Sequence, residues 1–235
     1  MSDWVDITVP VYNGLVHWPG DPAFDAQRKA DMSRGDVCNL TKLNRSAHTG
    51  THMDAPLHFV RDGATMDALP IDAVVGEARV IQIVDPVAVQ PAELEKYDLQ
   101  PGERILIKTR NSDRAWHAQP FDEDFVHISA AGGQYLVDRQ VRTVGVDYLS
   151  IGGYKTDGVE CHQIMLGAGI WVIEGLDLSA ITPGKYELAC LPMRLRDAEG
   201  APARAIVRAM RTLMQRSEWE GEAPAEPHGE PGAQT

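Results

Sequence analysis

The sequence predicts a single α/β domain. Short runs rich in β-branched residues alternate with stretches of helical pattern, 235 residues fit one large domain, and neither an internal repeat nor a linker divides the chain. Residues 7–12 read as an edge strand, because Pro10 removes a ladder donor. Residues 37–46 alternate as a strand does and lead into a cluster of histidines. The runs 79–84 and 104–109 are dense in β-branched residues and predict central strands. Between them, Pro91 stands at a first helical position with acidic residues in the turn that follows, which predicts a helix over 91–96.

Further along, Ser129 caps a predicted helix running to about residue 139, weakened by Gly132 and Gly133. Residues 143–147 read as a strand ending in Asp147, 158–167 as a helix carrying His162, and 170–174 as the strand after it. Residues 186–195 and 203–210 close the fold as β-rich segments, and for the second of these the pattern also admits a helix. From residue 217 the composition turns to Glu, Gly, Pro and Ala, which cannot bury enough apolar surface to offset ordering entropy. The expected organisation is therefore a domain over 1–216 and a disordered tail over 217–235.

Composition excludes some functions. Against 34 Asp and Glu stand 22 Lys and Arg, a net charge of -12, so a basic nucleic-acid-binding face is not expected. The three cysteines, Cys38, Cys161 and Cys190, are widely spaced and predict free thiols in a reducing compartment. No signal peptide and no run approaching a membrane span is visible. A cytoplasmic enzyme acting on a small molecule is the expectation.

The chemistry concentrates in His48-Thr-Gly-Thr-His52-Met-Asp54-Ala-Pro-Leu-His58, three imidazoles and a carboxylate within eleven residues. Neutral nitrogen donors and a hard anionic oxygen are what a small divalent cation needs. Gly50 and Pro56 make a helix poor here, whereas an extended segment puts His52 and Asp54 on one face. His48 then reaches the same point across a turn at Gly50. Three ligands leave coordination positions open, as catalytic sites do, and His58 is left free to move protons beside the cation. A second segment holds His162 on its helix and Glu174 at the end of an apolar strand, where a buried carboxylate is costly unless cations or donors compensate it. These two either complete a second cation position that shares Asp54 or hydrogen-bond the ligands from behind. Cys161, adjacent to His162, points to another side of the helix and reads as an inert buried thiol. Trp18, in the turn-rich Trp18-Pro-Gly-Asp21, reads as a lid, an interface plug or a stacking surface.

The histidine motif, with Trp18-Pro-Gly-Asp21 upstream and His162 and Ile173-Glu174-Gly175-Leu176 downstream, resembles the metal-dependent cyclase family over about residues 6–208. That family includes bacterial kynurenine formamidases and isatin hydrolases. The resemblance implies a swivelling β/β/α-type mixed sheet, assembled as a homodimer or larger. It implies one zinc on His48, His52 and Asp54, and a second on Asp54, His162 and Glu174, with Asp54 bridging. It further implies His58 as general acid/base and Trp18 as a substrate contact. Manganese serves in isatin hydrolases, so either metal is admitted. One stretch departs from the formamidase pattern: Asp147-Tyr-Leu-Ser-Ile-Gly-Gly-Tyr-Lys-Thr-Asp157 stands where formamidases carry a proline- and serine-rich segment. The expected activity is metal-dependent hydrolysis of a C–N amide bond of the arylformamide kind. Opening of a cyclic amide or lactone is the alternative, and a non-catalytic metal-binding protein the third reading.

Overall fold

A computed structural model describes residues 3–210. In chain order the elements are β1 (Trp4–Asp6), β2 (Asp25–Ala30), β3 (Leu40–Asn44), β4 (His52–Asp54), α1 (Ile71–Val74), β5 (Val75–Gln82), β6 (Ala88–Val89), α2 (Pro91–Leu94), β7 (Arg104–Lys108), β8 (His127–Ile128), α3 (Ala130–Asp138), β9 (Thr143–Val146), α4 (Gly158–Gly167), β10 (Trp171–Glu174), β11 (Gly184–Pro192) and β12 (Gly200–Ala209). The sheet runs β1-β12-β11-β5-β7-β9-β10-β4, and β12 pairs again with β4. Seven strands thus close on themselves into a barrel-like sheet, with β1 added beside β12. Strands β5, β7, β9 and β10 are mutually parallel, and the remaining pairings of this sheet are antiparallel. The mixed α/β class expected from the sequence is what the chain adopts.

Strands β7, β9 and β10 are buried on both faces over most of their length, and β5 is buried in its second half, which is why their centres read as apolar runs. In β7, Leu106 points into one core with Val80, Ile173, Met53 and Leu188. Its neighbours Ile105 and Ile107 point the other way and join Leu136 of α3 and Met165 of α4. The first group fills the barrel; the second lies between the barrel wall and the helices. Gly145 of β9 faces the barrel interior, where an added Cβ would lie 2.6 Å from Leu106 Cδ2. The glycines that weaken α3 have the same steric origin. At Gly133 a Cβ would lie 3.3 Å from Cys161 Sγ, and at Gly132 it would collide with the Val89 carbonyl oxygen. Close approach of α3 to α4 and to β6 therefore overrides helix propensity.

Several expectations are corrected in detail. The edge strand lies at Trp4–Asp6 rather than at 7–12, where Thr8 makes only an isolated bridge to Leu176. β3 is shorter than 37–46 and does not enter the main sheet; it pairs with β2 in a separate hairpin. The helix expected over 91–96 is the single turn α2. The segment 203–210, left open between strand and helix, is strand: β12 pairs with β11 from Ala203 to Ala209. Ser129 does cap α3, its hydroxyl accepting from the Gly132 amide at 3.0 Å. The tail expected over 217–235 lies outside the described residues. Among the described residues no helix is long and apolar enough to cross a membrane.

Candidate functional site

β4 is only three residues long, yet it is paired on both sides. Against β10 its register sets His52 opposite Glu174 and Asp54 opposite Val172; against β12 it sets Asp54 opposite Gly200. Alternation sends Met53 into the barrel and His52 and Asp54 to the outer face, the face that also carries Glu174. Gly50 takes φ +69°, so the chain turns before the strand and returns His48 toward Asp54. After β4 a 3-10 turn, Pro56–His58, with proline in its first position, brings His58 back over the same point. His162 arrives from α4. The six sequence-expected residues His48, His52, Asp54, His58, His162 and Glu174 therefore converge on one place outside the barrel.

Distances within the cluster are short. His48 Nδ1 lies 2.9 Å from Asp54 Oδ1, and His52 Nε2 lies 3.4 Å from Asp54 Oδ1 and 3.2 Å from Glu174 Oε2. His162 Nε2 lies 3.3 Å from Glu174 Oε1 and 4.0 Å from Asp54 Oδ2. The His58 ring stacks on His48 with centroids 4.0 Å apart, and Phe59 stacks on His162 at 4.3 Å. His52 Nδ1 donates to the Gly50 carbonyl at 2.8 Å, and His162 Nδ1 donates to the Gly158 carbonyl at 2.7 Å. A carbonyl can only accept, so each Nδ1 carries a proton and each Nε2 offers a lone pair toward the carboxylates when the ring is neutral.

Burial raises the cost of every charge here, and the cluster compensates by pairing. Burial alone would push the Asp54 carboxyl up, but the imidazoles of His48 and His52 hold it well below its usual range. Burial and Asp54 both push Glu174 up, and His162 and His52 bring it below normal. Burial opposes charge on His52, yet Asp54 and Glu174 raise it to about 10. For His162 burial is likewise outweighed, chiefly by Glu174, and its value is raised. His58 goes the other way: burial, with His48 and His162 adding to it, lowers its value against Asp54 and Glu174. The two carboxylates thus create a strongly cation-seeking point, which a proton or a metal ion can satisfy.

The donor set fits a divalent ion. Among the described residues His48 Nε2, His52 Nε2 and Asp54 Oδ2 are buried and make no well-formed hydrogen bond, only the carboxylate–imidazole approaches of 3.2–4.0 Å. Leaving such atoms unpaired is costly, and a cation satisfies all three atom types. Two ligand triplets share Asp54: His52–Asp54–Glu174, and His48–Asp54–His58, each with its donor atoms within 4.8 Å of one another. The sequence expectation grouped His48 with His52 and placed His162 with Glu174. The structure keeps Asp54 as the common member and brings His58 within ligand range.

Beside the cluster opens a cavity of about 420 Å³ lined by His48, His58, His162 and Glu174 together with Trp18, Phe59 and Tyr154. Trp18 stands edge-on to Tyr154 and Phe121, with centroids 5.4 and 5.5 Å away. Asp147 does not reach the cavity; buried, it accepts hydrogen bonds from the Thr109 amide (2.7 Å), the Thr109 hydroxyl and the Ser112 hydroxyl. It locks one loop behind the wall. Cys161 is buried, burial pushes its thiol up, and its sulfur lies 3.8 Å from Met165 Sδ, so the inert reading holds.

Sequence reasoning missed Glu199, Phe59 and Tyr154, the last of which lines the cavity and appeared only within the departing stretch 147–157. Glu199 Oε1 lies 3.4 Å from His48 Nε2, placed there only by the pairing of β12 with β4. Phe59 was passed over, although its place beside His58 in the sequence was a usable signal.

A closed mixed sheet that carries a buried, cation-seeking His/Asp/Glu cluster beside a partly aromatic cavity defines an α/β protein with a candidate metal site. Residues 5–152 match the Cyclase family model (“Putative cyclase”), and the chain belongs to that family. It is 34% identical over 207 residues to a kynurenine formamidase of Bacillus cereus, covering 88% of this chain and 98% of that one. A solved structure described as a potential metal-dependent hydrolase with cyclase activity superposes with a TM-score of 0.78 at 29% identity, covering 89% and 98% of the two chains. Isatin hydrolase A from Ralstonia solanacearum shares the fold, with a TM-score of 0.76 at 19% identity over 88% and 92% of the two chains. By class the chain is an amidohydrolase.

Proposed function

We propose that this enzyme hydrolyses the C–N bond of an N-formyl arylamine, in the manner its formamidase relatives' name describes, with a divalent metal in the cluster. The observation that carries the reading is the set of buried His48, His52 and Asp54 atoms without a hydrogen bond among the described residues, beside a cavity that His48 lines together with Trp18, Phe59 and Tyr154. In this reading His48, His52 and Asp54 hold one ion, and Asp54, His162 and Glu174 a second where two are bound; zinc or manganese suits these donors. When bound, the metal supplies Lewis acidity, lowering the pKa of a water and neutralising charge that builds on the carbonyl oxygen.

The chain's own residues do the rest. Trp18, Tyr154 and Phe59 bind the aryl ring and exclude bulk water. His58, held by stacking on His48 and edge contact with Phe59, takes the proton from the attacking water and delivers it to the leaving nitrogen. Oxygen adds to the formyl carbon, the C–N bond breaks, and the products are formate and the free arylamine. The departure at 147–157 favours a second reading, since residues 149–156 contribute to the cavity wall. That reading is opening of a cyclic amide or lactone. Assaying N-formylanilines against isatin-like rings, with zinc and with manganese, separates the two; absence of turnover on either would leave a metal-binding protein. A homodimer or larger assembly belongs to the same proposal and is read by light scattering.

A further inference from the structure

The segment that departs from the formamidase pattern forms a wall of the cavity: Leu149, Ser150, Tyr154, Lys155 and Thr156 all line it. Within it Lys155 takes a left-handed backbone, φ +57°, which glycine adopts readily and a lysine uncommonly. Left-handed geometry suits glycine, and Gly152 and Gly153 stand just upstream. Four described non-glycine residues take positive φ, namely Asp62, Gln140, Lys155 and Asp197, and of these Lys155 alone lines the cavity. A strained position that keeps a long cationic side chain where glycine would be easier points to use of that side chain.

The surroundings of the ammonium are consistent with such use. It lies 4.5 Å from the centroid of Tyr154, another cavity-lining ring, and 3.3 Å from Glu123 Oε2. The ion pair is open to water, with side chains 66% and 60% exposed, so it holds Lys155 weakly and can be exchanged. The other charged groups of the lining are Asp21, which accepts from the Ser46 hydroxyl at 3.4 Å, and Glu174, committed to the histidine cluster. Apart from the imidazoles, Lys155 is the cationic group among the lining residues described.

We propose that Lys155 is a specificity-determining residue whose ammonium, beside the Tyr154 ring, reads a carboxylate carried by the substrate outside the reacting amide. The inference rests on the amide-hydrolase reading above and assigns that site a preference for anionic aryl substrates.

The test compares N-formylaniline with its ring-carboxylated counterpart on metal-loaded enzyme. The variants are Lys155→Gly, Lys155→Met and Glu123→Gln. In the wild type the ratio of kcat/KM values favours the carboxylate. Lys155→Gly should fold at least as well as wild type, because glycine suits the left-handed backbone. Both Lys155 variants should lower the ratio roughly five-fold, the scale of one water-exposed ion pair. Glu123→Gln should keep or raise it. An unchanged ratio in the Lys155 variants overturns the proposal, as does an equal loss in Glu123→Gln, which would mean that Lys155 only ties down the loop. A calorimetric arm measures binding of aminobenzoate and of aniline to the same proteins. Wild type that hydrolyses neither formyl compound sinks the hydrolase reading. A Lys155-dependent preference for aminobenzoate would still uphold this one, and its absence would overturn it.

Discussion

Adding one methyl group at Gly200 tests the whole placement of the site. Gly200 sits opposite Asp54 in the β12–β4 pairing, and its φ lies outside the left-handed region, so alanine fits the backbone. A Cβ there would lie 2.6 Å from His48 Cε1 and 3.0 Å from both His48 Nε2 and the Met53 carbonyl oxygen. Carbon atoms pack at about 3.5–4.0 Å, so the imidazole must retreat by roughly 1 Å. It has little room. The His58 ring stacks on it at 4.0 Å, and its Nδ1 is held by Asp54 at 2.9 Å. Displacing a reacting group by that distance costs on the order of 100-fold in rate, and overpacking costs about 1–3 kcal/mol of stability. Gly200→Ala should therefore lose turnover of an N-formyl arylamine by about two orders of magnitude, with reduced metal content by elemental analysis and a lower Tm. Wild-type rate, metal content and Tm together would refute the placement of His48 against β12.

The remaining predictions address roles, packing and the metal. His58→Ala should keep its metal, since His48, His52, Asp54, His162 and Glu174 remain, and lose turnover by about 100- to 10,000-fold; loss of metal instead would make His58 a ligand. Asp54→Ala, removing the group common to both ligand triplets, should fail to load metal, and a fully loaded variant would contradict the shared role. On the packing side, Gly132→Ala should destabilise by about 1–3 kcal/mol through collision with the Val89 carbonyl. Gly167→Ala, whose Cβ meets only Val60 at 3.9 Å, should stabilise α4 by about 0.5–1 kcal/mol; urea denaturation reads both, and the reverse order would count against the packing described. Finally, chelation should lower Tm by roughly 5–10 °C relative to protein with metal at 100 times Kd, since about 2.7 kcal/mol of binding linkage is removed. A Tm indifferent to chelator would argue against a metal in the cluster.

Local chemistry was legible wherever the residue type itself carries the constraint. The spacing of His52 and Asp54 placed them on one strand face because side chains alternate, and the β-branched runs at 79–84 and 104–109 predicted the central strands that β5 and β7 form. Gly50 and Pro56 argued against a helix through the motif, and the structure shows turn, strand and 3-10 turn there. Glu174 stood out as a carboxylate in an apolar strand, and it sits beside His52 and His162. The segment 203–210 was ambiguous because its alanines, Ala203, Ala205 and Ala209, favour helix intrinsically. Pairing with β11 decides for strand, since strand preference is mostly a property of neighbours. The glycines of α3 looked like weakness and are close contacts with α4 and β6.

The sequence by itself determined the residue types of the candidate site, the face of β4 that His52 and Asp54 occupy, and the alternation of strands and helices, because each follows from side-chain chemistry or from a period of two or 3.6 residues. Closure of the sheet through β12 and β4, the approach of Glu199 to His48, and the wall that carries Lys155 were decided only in three dimensions. These join residues more than a hundred positions apart, and no local pattern encodes which distant strand completes a barrel. His58 shows both levels at once: its presence beside His48, His52 and Asp54 was written in an eleven-residue motif, and its stacking on His48 needed the turn after β4 to fold back.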